Sequence, residues 1–138
     1  MDNSFIEELT KMRQEFSREW ISSTQVRKQR KYRYNAPLHL RHKMLSAHVH
    51  KSLRKEYGRS LPVRKGDEVK VVRGSFRGKT GEVTLVDLNK LKIYIGTMKR
   101  KKVSGQDVNV PIDPSNVVII KPVMTDNERK KIATRRKR

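Results

Sequence analysis

With 138 residues, 34 Lys and Arg against 14 Asp and Glu, and no Cys, the chain carries a net charge of +20 and has room for one compact domain plus tails. The missing cysteines exclude disulfides, thiolate metal sites and a Cys nucleophile. No apolar run approaches the roughly 18 residues of a membrane span, and the start Met1–Glu8 lacks a basic-then-apolar secretion signal, so neither membrane spanning nor secretion is expected; the charge suits a polyanion, RNA or DNA first.

The charge divides the chain into four blocks. Residues 1–24 are net −2, 25–62 net +10, 63–120 net +6 and 121–138 net +6. Only 63–120 combines mixed charge with many Val and Ile, so the core is expected there. The blocks on either side of it read as an amphipathic helical extension (1–24), a basic arm with two short helices (25–62) and a basic C-terminal helix and tail (121–138).

In chain order, Phe5, Leu9, Met12, Phe16 and Trp20 recur at spacings of four, three, four and four, which is one face of a helix over residues 2–20. Ser4 and Glu7 have capping-box spacing. Packing on the chain's own domain would explain this stripe; the small core leaves docking on another protein as the favoured reading. Residues 27–34, Arg-Lys-Gln-Arg-Lys-Tyr-Arg-Tyr, show no apolar periodicity. A solvated linker would account for the charge. The interleaved Tyr32 and Tyr34 favour RNA, with rings stacking on bases while Arg27, Lys28, Arg30, Lys31 and Arg33 meet phosphates. A short helix is expected over 37–45, with Asn35 as its cap and Pro37 in its first turn. Val49, Leu53 and Tyr57 predict a second helix over 49–57, stopped by Gly58.

Five strands are predicted in the third block: around Val69 and Val71, around Val83, Leu85 and Val86, at Lys92-Ile93-Tyr94-Ile95, at Val108-Asn109-Val110, and at Val117–Ile120. Short strands separated by Gly, Asn and Asp predict a mainly β fold with flanking helices, closed as a small barrel that leaves no free edges. Thr125 and Glu128 have capping-box spacing for a last helix over 125–133.

Chemistry beyond binding finds little support. Asp67 and Glu68 are neighbours on a strand and point to opposite faces, so they cannot act as an acid–base pair. Asp113-Pro114-Ser115-Asn116 is sufficiently explained as a turn. His39, His42, His48 and His50 have a single acid, Glu56, in their block, which argues against a metal site. No enzyme, no cofactor, no metal and no small-molecule substrate are expected.

The most specific pattern is Gly66-Asp67-Glu68-Val69-Lys70-Val71-Val72-Arg73-Gly74-Ser75-Phe76-Arg77-Gly78-Lys79-Thr80-Gly81-Glu82-Val83. It is a strand, a glycine loop carrying cations, and a second strand, and it lacks the spacing of a P-loop. Gly74, Gly78 and Gly81 allow positive φ and close backbone approach. The segment resembles the KOW motif of small SH3-like barrels in ribosomal proteins and transcription elongation factors. Together with Tyr34–Arg41, Met44-Leu45-Ser46, Leu61–Lys65 and Asp113–Ile119, it resembles the archaeal and eukaryotic branch of the universal large-subunit ribosomal protein twenty-four family, called twenty-six in older eukaryotic naming. The likeness covers about residues 20–133, and residues 1–12 stand ahead of it, either as a longer N-terminal helix or through an early start codon.

That resemblance implies a structural constituent of the large ribosomal subunit that binds ribosomal RNA near its 5′ region, sits at the rim of the peptide exit tunnel and supports early subunit assembly. Its partners would be that RNA and neighbouring ribosomal proteins, not a second copy of itself. It would work in the cytoplasm, with nuclear or nucleolar assembly if eukaryotic. Carried onto this sequence, the RNA contacts are Arg73, Gly74, Phe76, Arg77, Gly78 and Lys79 in the loop, and Arg27, Lys28, Arg30, Lys31, Tyr32, Arg33, Tyr34, Arg41, His42 and Lys43 in the arm. Lys99, Arg100, Lys101 and Lys102 form a third group on a hairpin. Phe76 either caps the barrel or stacks on a base. The competing readings are a KOW-domain elongation module and a free architectural nucleic-acid-binding protein. The first usually carries further domains, and the second needs a dimer surface or groove-reading helix that the sequence does not offer.

Overall fold

The computed structural model describes residues 22–135, and the chain divides into two units, residues 1–41 and 42–138. In the first, helix α1 (Val26–Asn35) buries none of its residues. Ala36, held extended at ψ 132° by the following Pro37, ends it. Pro37 starts the next turn, and its carbonyl accepts from Leu40 and Arg41 at 3.0 and 3.1 Å, opening α2 (Leu38–Met44).

The second unit is mainly β. Its strands are β1 (Ser46–Val49), β2 (Ser60–Pro62), β3 (Glu68–Val71), β4 (Thr80–Asp87), β5 (Lys92–Ile95), β6 (Lys99–Lys101), β7 (Asp107–Asn109) and β8 (Val117–Lys121). A short α3 (Arg54–Tyr57) joins β1 to β2, and α4 (Asn127–Arg135) follows β8. Six strands form one sheet in the order β2-β1-β8-β3-β4-β5, and β6 and β7 make a separate ribbon. All neighbours are antiparallel except β1 and β8. Register shifts at Glu68/Val69 and Val83/Leu85 bend the sheet.

Alternation sets the inside. In β3, Val69 and Val71 are buried while Glu68 and Lys70 are exposed. Val49, Leu61, Val83, Ile93, Ile95, Met98, Val117 and Ile119 join them in one core, and Ala133 of α4 closes onto it. The fold agrees with a small SH3-like barrel. The strand ladder, however, stays open, with β2 and β5 at its ends among the described residues. The edges are blunted by other means. Pro62 in β2 has no N–H to offer a further strand, and Ile93 of β5 exchanges two 2.9 Å hydrogen bonds with Ile112.

Four expectations need correction. The stretch read as an arm supplies β1 and β2, because Ala47, Val49 and Leu61 complete the core face. Val49 is therefore a strand residue, and the helix expected over 49–57 shrinks to a 3-10 turn at Lys51–Leu53 plus α3. Asn35, expected ahead of a helix as its cap, is itself the last residue of α1. The cap of α4 is Asp126, whose Oδ1 accepts from the Glu128 N–H at 3.0 Å, one residue beyond the expected Thr125.

Candidate nucleic-acid interface

Helix α1 carries Arg27, Lys28, Arg30, Lys31 and Arg33 and no acid in its first turn. At helical spacing, Tyr34 shares a stripe with Arg27, Arg30 and Lys31, and Tyr32 one with Lys28. Tyr34 is 81% exposed; Tyr32 is half-buried. Arg41 differs from the other expected arm contacts. It donates from Nε to the Ala36 carbonyl at 2.8 Å and from Nη2 to the Tyr34 carbonyl at 2.6 Å. His42 and Lys43 are exposed on α2.

The glycine loop follows β3. Val71 and Lys79 close it with a 2.9 Å bond, the Gly78 N–H reaches the Val71 carbonyl at 2.8 Å, and Arg77 and Lys79 donate to Gly74 and Phe76. Gly74 and Gly78 have φ of +93° and +87°, with open space where a Cβ would lie. This projects the exposed Arg73, Arg77 and Lys79 from a compact, hydrogen-bonded turn. Gly81 serves differently: its φ is not positive. A Cβ there would meet Thr97 Oγ1 at 2.5 Å and Ile95 Cγ2 at 2.6 Å, so close approach of β4 to the chain after β5 is what demands glycine. Phe76 packs half-buried against the core, with the Lys79 ammonium 5.4 Å from its ring centre. The ring thus packs on the core while part of it stays open to solvent.

Lys99, Arg100 and Lys101 lie on β6, with Lys102 at its end, and all four are exposed. Alternation places Arg100 and Lys102 on one ribbon face with Val108, and Lys99 and Lys101 on the other with Asp107. The Thr97 hydroxyl bonds the Thr80 carbonyl at 3.3 Å, so loop and ribbon leave the sheet from adjoining points.

Acid partners go elsewhere. The ion pairs among the described residues are Arg64–Asp126, Lys92–Asp113, Arg129–Asp67 and Lys131–Glu128. None uses a cation of α1, the loop or the ribbon. Asp126 is held below its ordinary value, first by the Glu128 N–H and then by the Arg64 guanidinium.

One residue pair was not visible in the sequence. Asp67 and Arg129 are both buried, joined by two parallel 2.7 Å bonds. Asp67 also accepts from the Arg64 and Val123 N–H groups, each at 2.9 Å, and Arg129 donates to the Val123 and Pro62 carbonyls. This pair ties α4 to β2 and to the start of β3. Glu68 beside it is exposed, so the two acids do face apart. An acid just ahead of a strand in so basic a chain was the available signal. The histidines do not converge: no cluster of three or more metal-ligating residues occurs among the described residues. No described helix is long and apolar enough to cross a membrane. Phe5, Leu9, Met12, Phe16 and Trp20 lie outside the described residues.

Residues 23–136 match the model of a ribosomal protein family described as L26 in eukaryotes, with its L24-type counterpart in archaea. The chain is similar to the large ribosomal subunit protein uL24 of Korarchaeum cryptofilum, at 46% identity over 117 residues, covering 84% of this chain and 89% of that protein.

Proposed function

The chain belongs to the ribosomal protein family that comprises eukaryotic L26 and its archaeal L24-type counterpart, and from that premise we propose that it binds large-subunit ribosomal RNA through α1, the glycine loop and the β6–β7 ribbon. The family is a structural one of the large subunit and not an enzyme class, and the ribosome in the cytoplasm is where such a protein works. The finer reading follows the family: contact near the 5′ region of the RNA, a place at the exit-tunnel rim beside other ribosomal proteins, and a part in early assembly, nucleolar if the source is eukaryotic.

The observation that supports RNA contact best is the set of unneutralised cations. Arg27, Lys28, Arg30, Lys31, Arg33, Arg73, Arg77, Lys79 and Lys99–Lys102 are exposed and have no acid partner among the described residues. Helix α1 buries nothing that would repay ordering it. Phosphates would supply both the neutralisation and the ordering, with release of condensed counterions as the driving force. The loop's hydrogen-bonded turn would fix register, and shape more than base edges would give selectivity.

Binding to deproteinised large-subunit RNA and to duplex DNA, compared at moderate salt, tests this. Preference for the RNA, with affinity falling steeply as salt rises, is expected. Equal affinity for both would favour an architectural nucleic-acid binder and contradict the proposal.

A further inference from the structure

Arg41 sits one turn into α2, where helical side chains lean back toward the helix start. Its guanidinium therefore lies over the α1–α2 junction. The Nε and Nη2 donors form one edge of the planar group, and they meet the Ala36 and Tyr34 carbonyls at 2.8 and 2.6 Å. These carbonyls lie at the C-terminal end of α1, where a helix leaves acceptors without intrahelical donors and where its dipole favours a cation. Pro37 prevents α1 from continuing, so the junction must bend. Backbone bonds from Leu40 and Arg41 to the Pro37 carbonyl hold one side of that bend, and the Arg41 fork holds the other.

We infer that Arg41 is a positioning residue: it sets the angle at which α1 leaves the first turn of α2, and so aims Tyr34 and the α1 cations, whereas its own charge is not spent on a phosphate. This rests on the proposal that α1 faces RNA. A lysine would keep the charge but not the fork, since its three ammonium donors sit at one point on a flexible stem and lack the fixed plane that matches the two carbonyls. The two roles therefore separate cleanly. A phosphate contact tolerates lysine and contributes to the salt dependence. A clamp tolerates no substitute and leaves the salt dependence alone.

The test measures binding of the full chain to deproteinised large-subunit RNA over a salt series, for the parent, Arg41→Lys, Arg41→Met and a control, Arg27→Gln with Arg30→Gln. The expected result is about tenfold weaker binding for both Arg41 variants, with the slope of log K against log salt unchanged. Near-parent binding by Arg41→Lys, with a slope lowered by about 0.7–0.9 in Arg41→Met, would make Arg41 a phosphate ligand and overturn the inference. So would parent-like binding by both variants when the control is weakened. If the control binds like the parent, the reading of α1 as an RNA-facing helix fails instead. Amide hydrogen exchange over residues 33–41 of the full chain then decides: faster exchange in Arg41→Lys supports the clamp, and unchanged exchange refutes it.

Discussion

Asp67 shows how one carboxylate can organise a small basic domain. Its four acceptor contacts come from three separate segments, and the guanidinium opposite is as deeply buried as the carboxylate. Burying two charges is costly, and good geometry with hydrogen bonding offsets it; here the buried Arg129 Nε is left without a partner among the described residues. Removing one partner leaves the other charged and dry. Asp67→Asn is accordingly expected to cost about 3–5 kcal/mol in denaturant unfolding. A loss under 1 kcal/mol would show that α4 is held by apolar packing alone. Gly81 makes a different residue-scale claim, that space and not φ selects glycine. Gly81→Ala should lose about 1–3 kcal/mol, and Thr97→Ala in the same chain should restore part of it. Gly74→Ala meets no neighbour, so its cost is backbone strain at φ +93°, and Thr97→Ala should leave that cost unchanged.

At the scale of elements, α4 carries a pH signature. The Asp126 carboxyl, lying below its ordinary value of 3.8, caps the helix as an anion. A depressed carboxyl stabilises the fold above its unfolded value and loses that contribution as pH falls through the folded value. The start of α4 should therefore stay intact at pH 5 and loosen below about pH 4. Side-chain NMR titration of Asp126 would check this, and a midpoint at or above the ordinary value would contradict it. Helix α1 depends on its surroundings in another way. With five cations, no acid in its first turn and nothing buried, its amides ahead of the Arg41 fork, over residues 27–32, should exchange rapidly in free protein and slow on binding RNA. Strong protection without RNA would contradict this.

The elements also show what was legible in the sequence. β3, β4 and β5 announced themselves by alternating apolar residues, β8 by its unbroken Val-Val-Ile-Ile run, and the glycine loop by its spacing. β1 was hidden because its four residues, Ser-Ala-His-Val, contain a single β-branched apolar side chain. β6 was not among the predicted strands, because Lys-Arg-Lys has no apolar face to alternate, although its cations were placed on a hairpin. Helix α1 gave no periodic signal for the same reason that it gives no core: all its faces are polar. The candidate site was legible as cation groups and loop, because charge needs no partner in sequence to be seen. The Asp67–Arg129 clamp was not, since its halves lie 62 residues apart. Nor was the Arg41 fork, which depends on where α1 stops.

For the whole molecule, the net charge is +20, and among the described residues the cations of α1, the glycine loop and the ribbon have no acid partner, while bonded acids hold the framework. The acids at Asp67, Asp113 and Asp126 each tie segments together, and the cations left over face outward. Such a surface suits a polyanion, and the proposal is that large-subunit ribosomal RNA is that polyanion. The most direct test is a sucrose-gradient fractionation of lysate from cells making this chain, followed by a high-salt wash of the ribosomal fractions. Co-migration with large subunits and retention through the wash is the predicted result. Recovery at the top of the gradient, or together with RNA polymerase, would contradict the central claim.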